Sequence, residues 1–124
     1  MTAADKEAPD ARIEDYMSGL AWELDNDEGV GMWTIVPMAG YFGLCGGARV
    51  DFMRRAIHIL LAHGAIAVEP GGDGKRGWKP VFTLGETPHG VVESVIADWL
   101  ESGGGDPPWD SVWFKLPGTF KLAE

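Results

Sequence analysis

At 124 residues the chain suits one domain with a single core and is too short for two catalytic lobes. Its hydrophobic share of 45% excludes a disordered chain, and its eighteen glycines follow no three-residue period, which excludes a collagen. A formal net charge of −9 argues against a general nucleic-acid binder. That total hides a distribution: the first forty-five residues are strongly acidic, and so are residues 86–124. Residues 46–85 carry Arg49, Arg54, Arg55, Lys75, Arg76 and Lys79 against Asp51, Glu69 and Asp73. One cysteine forms no internal disulfide, the N-terminus lacks the order of a signal peptide, and the apolar run from Ala56 to Val68 is too short to span a bilayer. A cytoplasmic protein is expected, with no membrane association.

In chain order, residues 1–9 are expected to be a flexible arm. Ile13, Tyr16, Met17, Leu20, Ala21 and Leu24 then recur at three- and four-residue intervals, the stripe of an amphipathic helix from Asp10 to Asp25. Asp25–Gly29 is a stop signal, and Met32–Val36 reads as a short strand ended by Pro37. Met38–Leu44 is a short apolar segment of one or two helical turns, followed by a tight Cys45-Gly46-Gly47 connection.

Arg49–His63 contains neither glycine nor proline. At ~100° per residue, Asp51, Arg54, Arg55, His58 and Ala62 share one narrow arc, and the remaining arc is mostly apolar. A helix nearly surrounded by core, with one basic stripe, is predicted. Gly64 is its expected left-handed stop. Ala65–Glu69 and Trp78–Leu84 read as the arms of a hairpin with a basic loop, Pro80 suiting an edge strand.

Thr87-Pro88 is a capped helix entry, continued by Val91, Val92, Val95, Ile96, Trp99 and Leu100 until Ser102–Pro108 ends the helix. The tail, residues 102–124, carries Trp109, Val112, Trp113, Phe114, Leu116 and Phe120. So much aromatic surface must pack back on the domain or meet another chain. Of the other tryptophans, Trp33 and Trp99 read as core, Trp22 faces a partner or the tail, and Trp78 lies at the base of the hairpin.

Helix, strand, short helix, turn, long helix, hairpin and helix make an α+β chain, mostly α. From Arg54 through the hairpin to Gly90, "RRAIHILLAHGAIAVE", "GGDGKRG" and "FTLGETPHG" resemble the recognition helix, wing tip and second wing strand of winged helix-turn-helix regulators of the MarR and PadR type. "MAGYFGL" resembles the first helix of their helix-turn-helix pair, and the likeness spans about residues 33–100. "CGGAR" departs from it in being richer in glycine than the usual turn. The resemblance implies a winged-helix domain over residues 10–101 with a two-stranded wing, flanking helices and a transcription-regulating function. It would place Arg54, Arg55 and His58 toward the major groove of double-stranded DNA, Arg49 near the helix start, and Lys75, Arg76 and Lys79 on the wing. A homodimer through the first helix and the tail is part of that expectation.

A different reading fits the same residues. The bases then solvate one face or pair with the acidic flanks, and the protein is an acidic interaction module, of inhibitor or immunity type, that never touches DNA. Its contact surface would be Glu23, Asp25, Asp27, Glu28, Asp98, Glu101, Asp106 and Asp110, and its partner a basic protein.

No catalytic constellation is expected, and no cofactor or metal. Gly74-Lys75 lacks the flanking residues of a phosphate loop, and His58 and His63 are roughly 140° apart round one helix. No serine sits in a nucleophile elbow. Cys45 reads as incidental, and His63 as a hydrogen-bonded core histidine. Glu14, Asp15 and the acids at 27 and 28 read as solubilising.

Overall fold

The computed structural model describes residues 3–26, 29–71, 77–81, 84–108 and 111–117. Its elements are α1 (Ala3–Asp25), β1 (Val30–Gly31), α2 (Met32–Tyr41), α3 (Gly46–Ala62), β2 (Ile66–Pro70), β3 (Trp78–Pro80), α4 (Pro88–Glu101) and β4 (Trp113–Lys115). The architecture is mixed α+β and mostly helical, with one small antiparallel sheet of order β1-β4-β2-β3.

The helix α3 is the centre of the packing. Phe52, Met53, Ala56, Ile57 and Leu60 are buried along it, and it contacts α1, α2 and α4. It meets α1 through the stripe Met17, Leu20 and Leu24, and α4 through Val92, Val95, Ile96 and Trp99. These intervals of three and four residues are the period that puts apolar side chains on one helical face. Gly64, at φ +105, ends α3 as its sequence predicts, and the Thr87 hydroxyl caps α4 by accepting from the Gly90 N–H at 3.0 Å.

Four elements depart from expectation, two of them by only a few residues at one end: α3 begins at Gly46 rather than Arg49, so Gly46 and Gly47 of the expected connection are helical, and β3 runs from Trp78 to Pro80 rather than to Leu84. The first helix begins at Ala3 rather than Asp10, in keeping with the helix propensity of Ala3, Ala4, Lys6, Glu7 and Ala8, which an apolar stripe does not register. Met32–Val36 is not a strand. The strand before it is only Val30–Gly31, and Met32–Tyr41 is helical with Pro37 inside the helix. The β-branched run Thr34-Ile35-Val36 favours strand locally, but Met32, Ile35, Val36 and Ala39 are the buried set, at helical spacing. Burial decides against propensity. Proline removes one N–H from the helix, the one that would reach the Trp33 carbonyl.

The aromatic tail supplies β4, which lies between β1 and β2. Phe114 faces Val30 on one side and Ala67 on the other and is fully buried. Trp113 lies opposite Gly31, where a Cβ would stand 2.8 Å from the indole, so the strand pair needs glycine at 31 for space. The hairpin closes the other edge, with Glu69 opposite Lys79 and Pro70 opposite Trp78.

Tyr16 is packed between Phe42 and Phe52, with ring centroids 6.2 and 5.6 Å away. Burial, with a smaller contribution from the Glu23 charge, pushes its phenol up to about 12. In a Tyr41→Phe variant, which leaves Tyr16 as the single tyrosine, alkaline absorbance titration is expected to show ionisation near 12; ionisation near ~10 would contradict this packing. In urea unfolding, Phe114→Ala is expected to cost about 3–5 kcal/mol, and Trp22→Ala, on a side chain 62% exposed, within about 0.5 kcal/mol of none. A Phe114→Ala loss as small as that of Trp22→Ala would remove β4 from the core.

Candidate functional site

The basic stripe of α3 lies at the seams between helices. Arg54 points toward α4, where its Nε and Nη2 donate to the two carboxylate oxygens of Glu93 at 2.8 and 3.2 Å, while Nη1 donates to Asp51 at 3.0 Å. This two-pronged geometry matches the planar guanidinium fork to a carboxylate and is the strongest form of such a pair. One residue on, ~100° round the helix, Arg55 points the other way and donates to Glu14 of α1 at 2.5 Å. His58 lies one turn beyond Arg54 on the α4 side, its ring stacked on that of His89 with centroids 6.3 Å apart.

The remaining expected DNA contacts are also engaged. Arg49, in the first turn of α3, lies with its guanidinium 5.5 Å over the Trp99 ring and donates to Asp106 at 3.4 Å. Its Nε is buried without a hydrogen-bond partner among the described residues. Lys79 pairs across the hairpin with Glu69 at 3.3 Å. Lys75 and Arg76, on the hairpin tip, lie outside the described residues. The structure therefore brings Arg54 and His58 together against α4, places Arg49 over Trp99 near the end of the same helix, sends Arg55 to α1, and leaves Lys79 on the hairpin. Each of the four described Arg and Lys side chains of this set has a carboxylate from its own chain.

The pairing acts on the acids in turn. The hydrogen bond from Arg54 holds the Glu93 carboxyl below the usual carboxylate range, helped by the charges of Arg54, His89 and His58. The hydrogen bond from Arg55 does the same for Glu14. Neither acid was singled out as a partner: Glu14 reads as solubilising, and Glu93 drew no reading. The available signal was that Glu93 follows Val92 and precedes Val95 on α4, at the edge of the buried stripe, where a charge meets the neighbouring helix.

The acids expected to meet a partner divide into three groups. Asp25 pairs with His63, 2.8 Å from Nε2, and Asp106 with Arg49. Asp98 and Glu101 are exposed on the last turns of α4 and have no ion pair among the described residues, and Glu23 is half-buried on α1. Asp27, Glu28 and Asp110 lie outside the described residues. The His63 expectation is corrected by the same contact: it is an exposed C-cap residue tied to Asp25, because α3 ends before its side chain reaches the core. Trp33 is corrected too, being 38% exposed, since the helical turn at Met32–Tyr41 rotates it away from the buried face. Cys45 is exposed at the start of α3.

Two further features were not foreseen. Lys115, in an acidic tail, is buried, with its ammonium 4.8 Å from the Trp78 ring and 5.9 Å from that of Trp113, a cation over aromatic faces. Between the C-terminal half of α4 and residues 105–108, 111 and 112 lies an open cleft of about 410 Å³, lined by Met32, Val95, Trp99 and Val112 together with Asp98 and Asp106. That volume falls within the range of small-ligand pockets.

Among the described residues no three metal-ligating side chains converge, and no helix is long and apolar enough to cross a membrane. No protein-family model, no curated protein and no solved structure matches the chain.

The lowered Glu14 and Glu93 carboxyls set a pH dependence. Each contributes stability above the ordinary carboxylate range, and the contribution is lost as pH falls through the lower folded value. The thermal midpoint is expected to fall as the pH drops below the ordinary carboxylate range and on through the lowered folded values, and Glu93→Gln and Glu14→Gln should each shrink that fall while lowering the midpoint at pH 7. An undiminished acid fall in both variants would mean the ion pairs do not form in solution.

Proposed function

We propose that this chain is an acidic protein-interaction module on a winged-helix-like fold, taking a protein partner with a basic surface. The fold reading is supported by the element order, α1-β1-α2-α3 followed by the β2–β3 hairpin and a further helix. The tail strand β4 is an addition to that plan, seated between β1 and β2.

The observation that carries the functional reading is the internal pairing of the α3 stripe. A recognition helix must present its guanidinium groups free to base edges. Here Arg54 is held by Glu93 and Asp51, Arg55 by Glu14, and α3 is flanked on those sides by α4 and α1. Reaching a groove would require breaking those pairs and bringing the carboxylates of α1 and α4 up to the phosphates. Most of the unpaired charge on the described surface is acidic: Asp15, Glu86, Asp98 and Glu101 are exposed without an ion pair, against Arg12, with Asp98 and Glu101 together at the end of α4. Such a field attracts a basic protein surface and speeds its encounter, while repelling nucleic acid.

The test has two arms. Duplex DNA, including fragments of the gene's upstream region, is expected not to bind at low salt or near physiological salt. Affinity capture with the wild-type chain, compared with the double variant Asp98→Lys, Glu101→Lys, is expected to retain a basic protein that the charge-reversed chain loses. Tight, fragment-specific DNA binding that survives added salt would replace this reading with a DNA-binding regulator. A partner retained equally by both forms would remove the acidic surface from the contact.

A further inference from the structure

We infer that the cleft beside α4 is an anchor site for an arginine side chain of the partner, an inference that rests on the acidic-module reading above. Its lining supplies the two things an arginine needs. Met32, Val95 and Trp99 are buried side chains whose remaining surface lines the cleft, so an aliphatic stem gains apolar contact there. Asp98 and Asp106 line it as acceptors for the guanidinium.

The state of those groups leaves them capacity for a ligand. The Trp99 indole N–H is already used, donating to the Gly105 carbonyl at 2.7 Å, so the ring is fixed in place and offers its apolar and π surface rather than a donor. Asp98 has no ion pair among the described residues. Asp106 makes one long contact, 3.4 Å from Arg49 Nη2, and its side chain is 70% exposed; a carboxylate has about four lone-pair sites, so most of its acceptor capacity is open.

The fold contains an internal precedent for the chemistry. Arg49 places its guanidinium over Trp99 while reaching Asp106, the same combination of indole face and carboxylate. An incoming arginine would share Asp106 with Arg49 and take Asp98 for itself. Charge complementarity selects the occupant: a neutral or acidic side chain would meet two carboxylates on a chain of net charge −9.

The experiment uses the full chain with labelled indole and backbone amides, titrated by NMR with a short peptide containing one arginine, and with the same peptide carrying citrulline, an uncharged isostere, or lysine. The arginine peptide is expected to shift the Trp99 indole signal and the amides of residues 98–106 saturably. Citrulline, and separately Asp98→Asn, should weaken that binding at least about tenfold, with lysine intermediate. Asp98 is exposed on a helix surface, so its amide variant keeps the fold, and unchanged spectra elsewhere verify this. Shifts spread evenly over the acidic surface and indifferent to Asp98→Asn would overturn the anchor site while leaving the acidic-module reading intact. Absence of any shift at Trp99 would overturn it equally. Saturable arginine binding together with fragment-specific DNA binding would instead keep the anchor and remove the module reading.

Discussion

Everything in this molecule turns on how a helix that is apolar on nearly all sides is covered. A seventeen-residue α3 with Phe52, Met53, Ala56, Ile57 and Leu60 fully or nearly fully buried must be packed from several directions at once. The three other helices do that, and the narrow arc left over falls on the seams between them. Charges at a seam are costly when unpaired and acceptable when matched. Hence Glu93 and Asp51 meet Arg54, and Glu14 meets Arg55. The same logic places Arg49 on Trp99 at the start of the helix. The pairs are partly exposed and individually contribute little to stability, but together they fix which side chains are available to a ligand.

The parts legible in the sequence are those governed by neighbours along the chain. The α3 and α4 stripes, the Gly64 stop and the Thr87 cap each depend on residues within a few positions, and the β2–β3 pairing follows in outline, with its second arm ending at Pro80. The parts that were not legible depend on distant ones. Thr34-Ile35-Val36 looks like strand until the core is present to bury Ile35 and Val36 at helical spacing. The β4 strand is visible only once Val30 and Ala67 are brought alongside Phe114. Lys115 reads as an ordinary tail charge until its contacts with Trp78 and Trp113 are formed.

The candidate site follows the same division. The sequence places Arg54, Arg55 and His58 on one arc of α3, and it is the tertiary arrangement, bringing in acids 39 and 41 residues away, that decides what the arc does. The acidic and basic blocks of the chain are complementary within the molecule, so part of the segmental charge is spent on internal pairs. Among the acids that remain, Asp98 at the Trp99 cleft, with Glu101 one turn on along α4, combines a charge for encounter with an apolar surface for affinity. That combination suits a protein partner better than a polyanion.

The most direct test of the account is a double-mutant cycle on Arg54→Ala and Glu93→Ala, read by urea unfolding at neutral pH. If the two side chains hold each other across the α3–α4 seam, the loss in the double variant will be smaller than the sum of the two single losses, and the difference will shrink as the pH is lowered through the depressed Glu93 carboxyl. Strictly additive losses at neutral and low pH would mean that Arg54 is not engaged by Glu93 across the seam, contradicting the account.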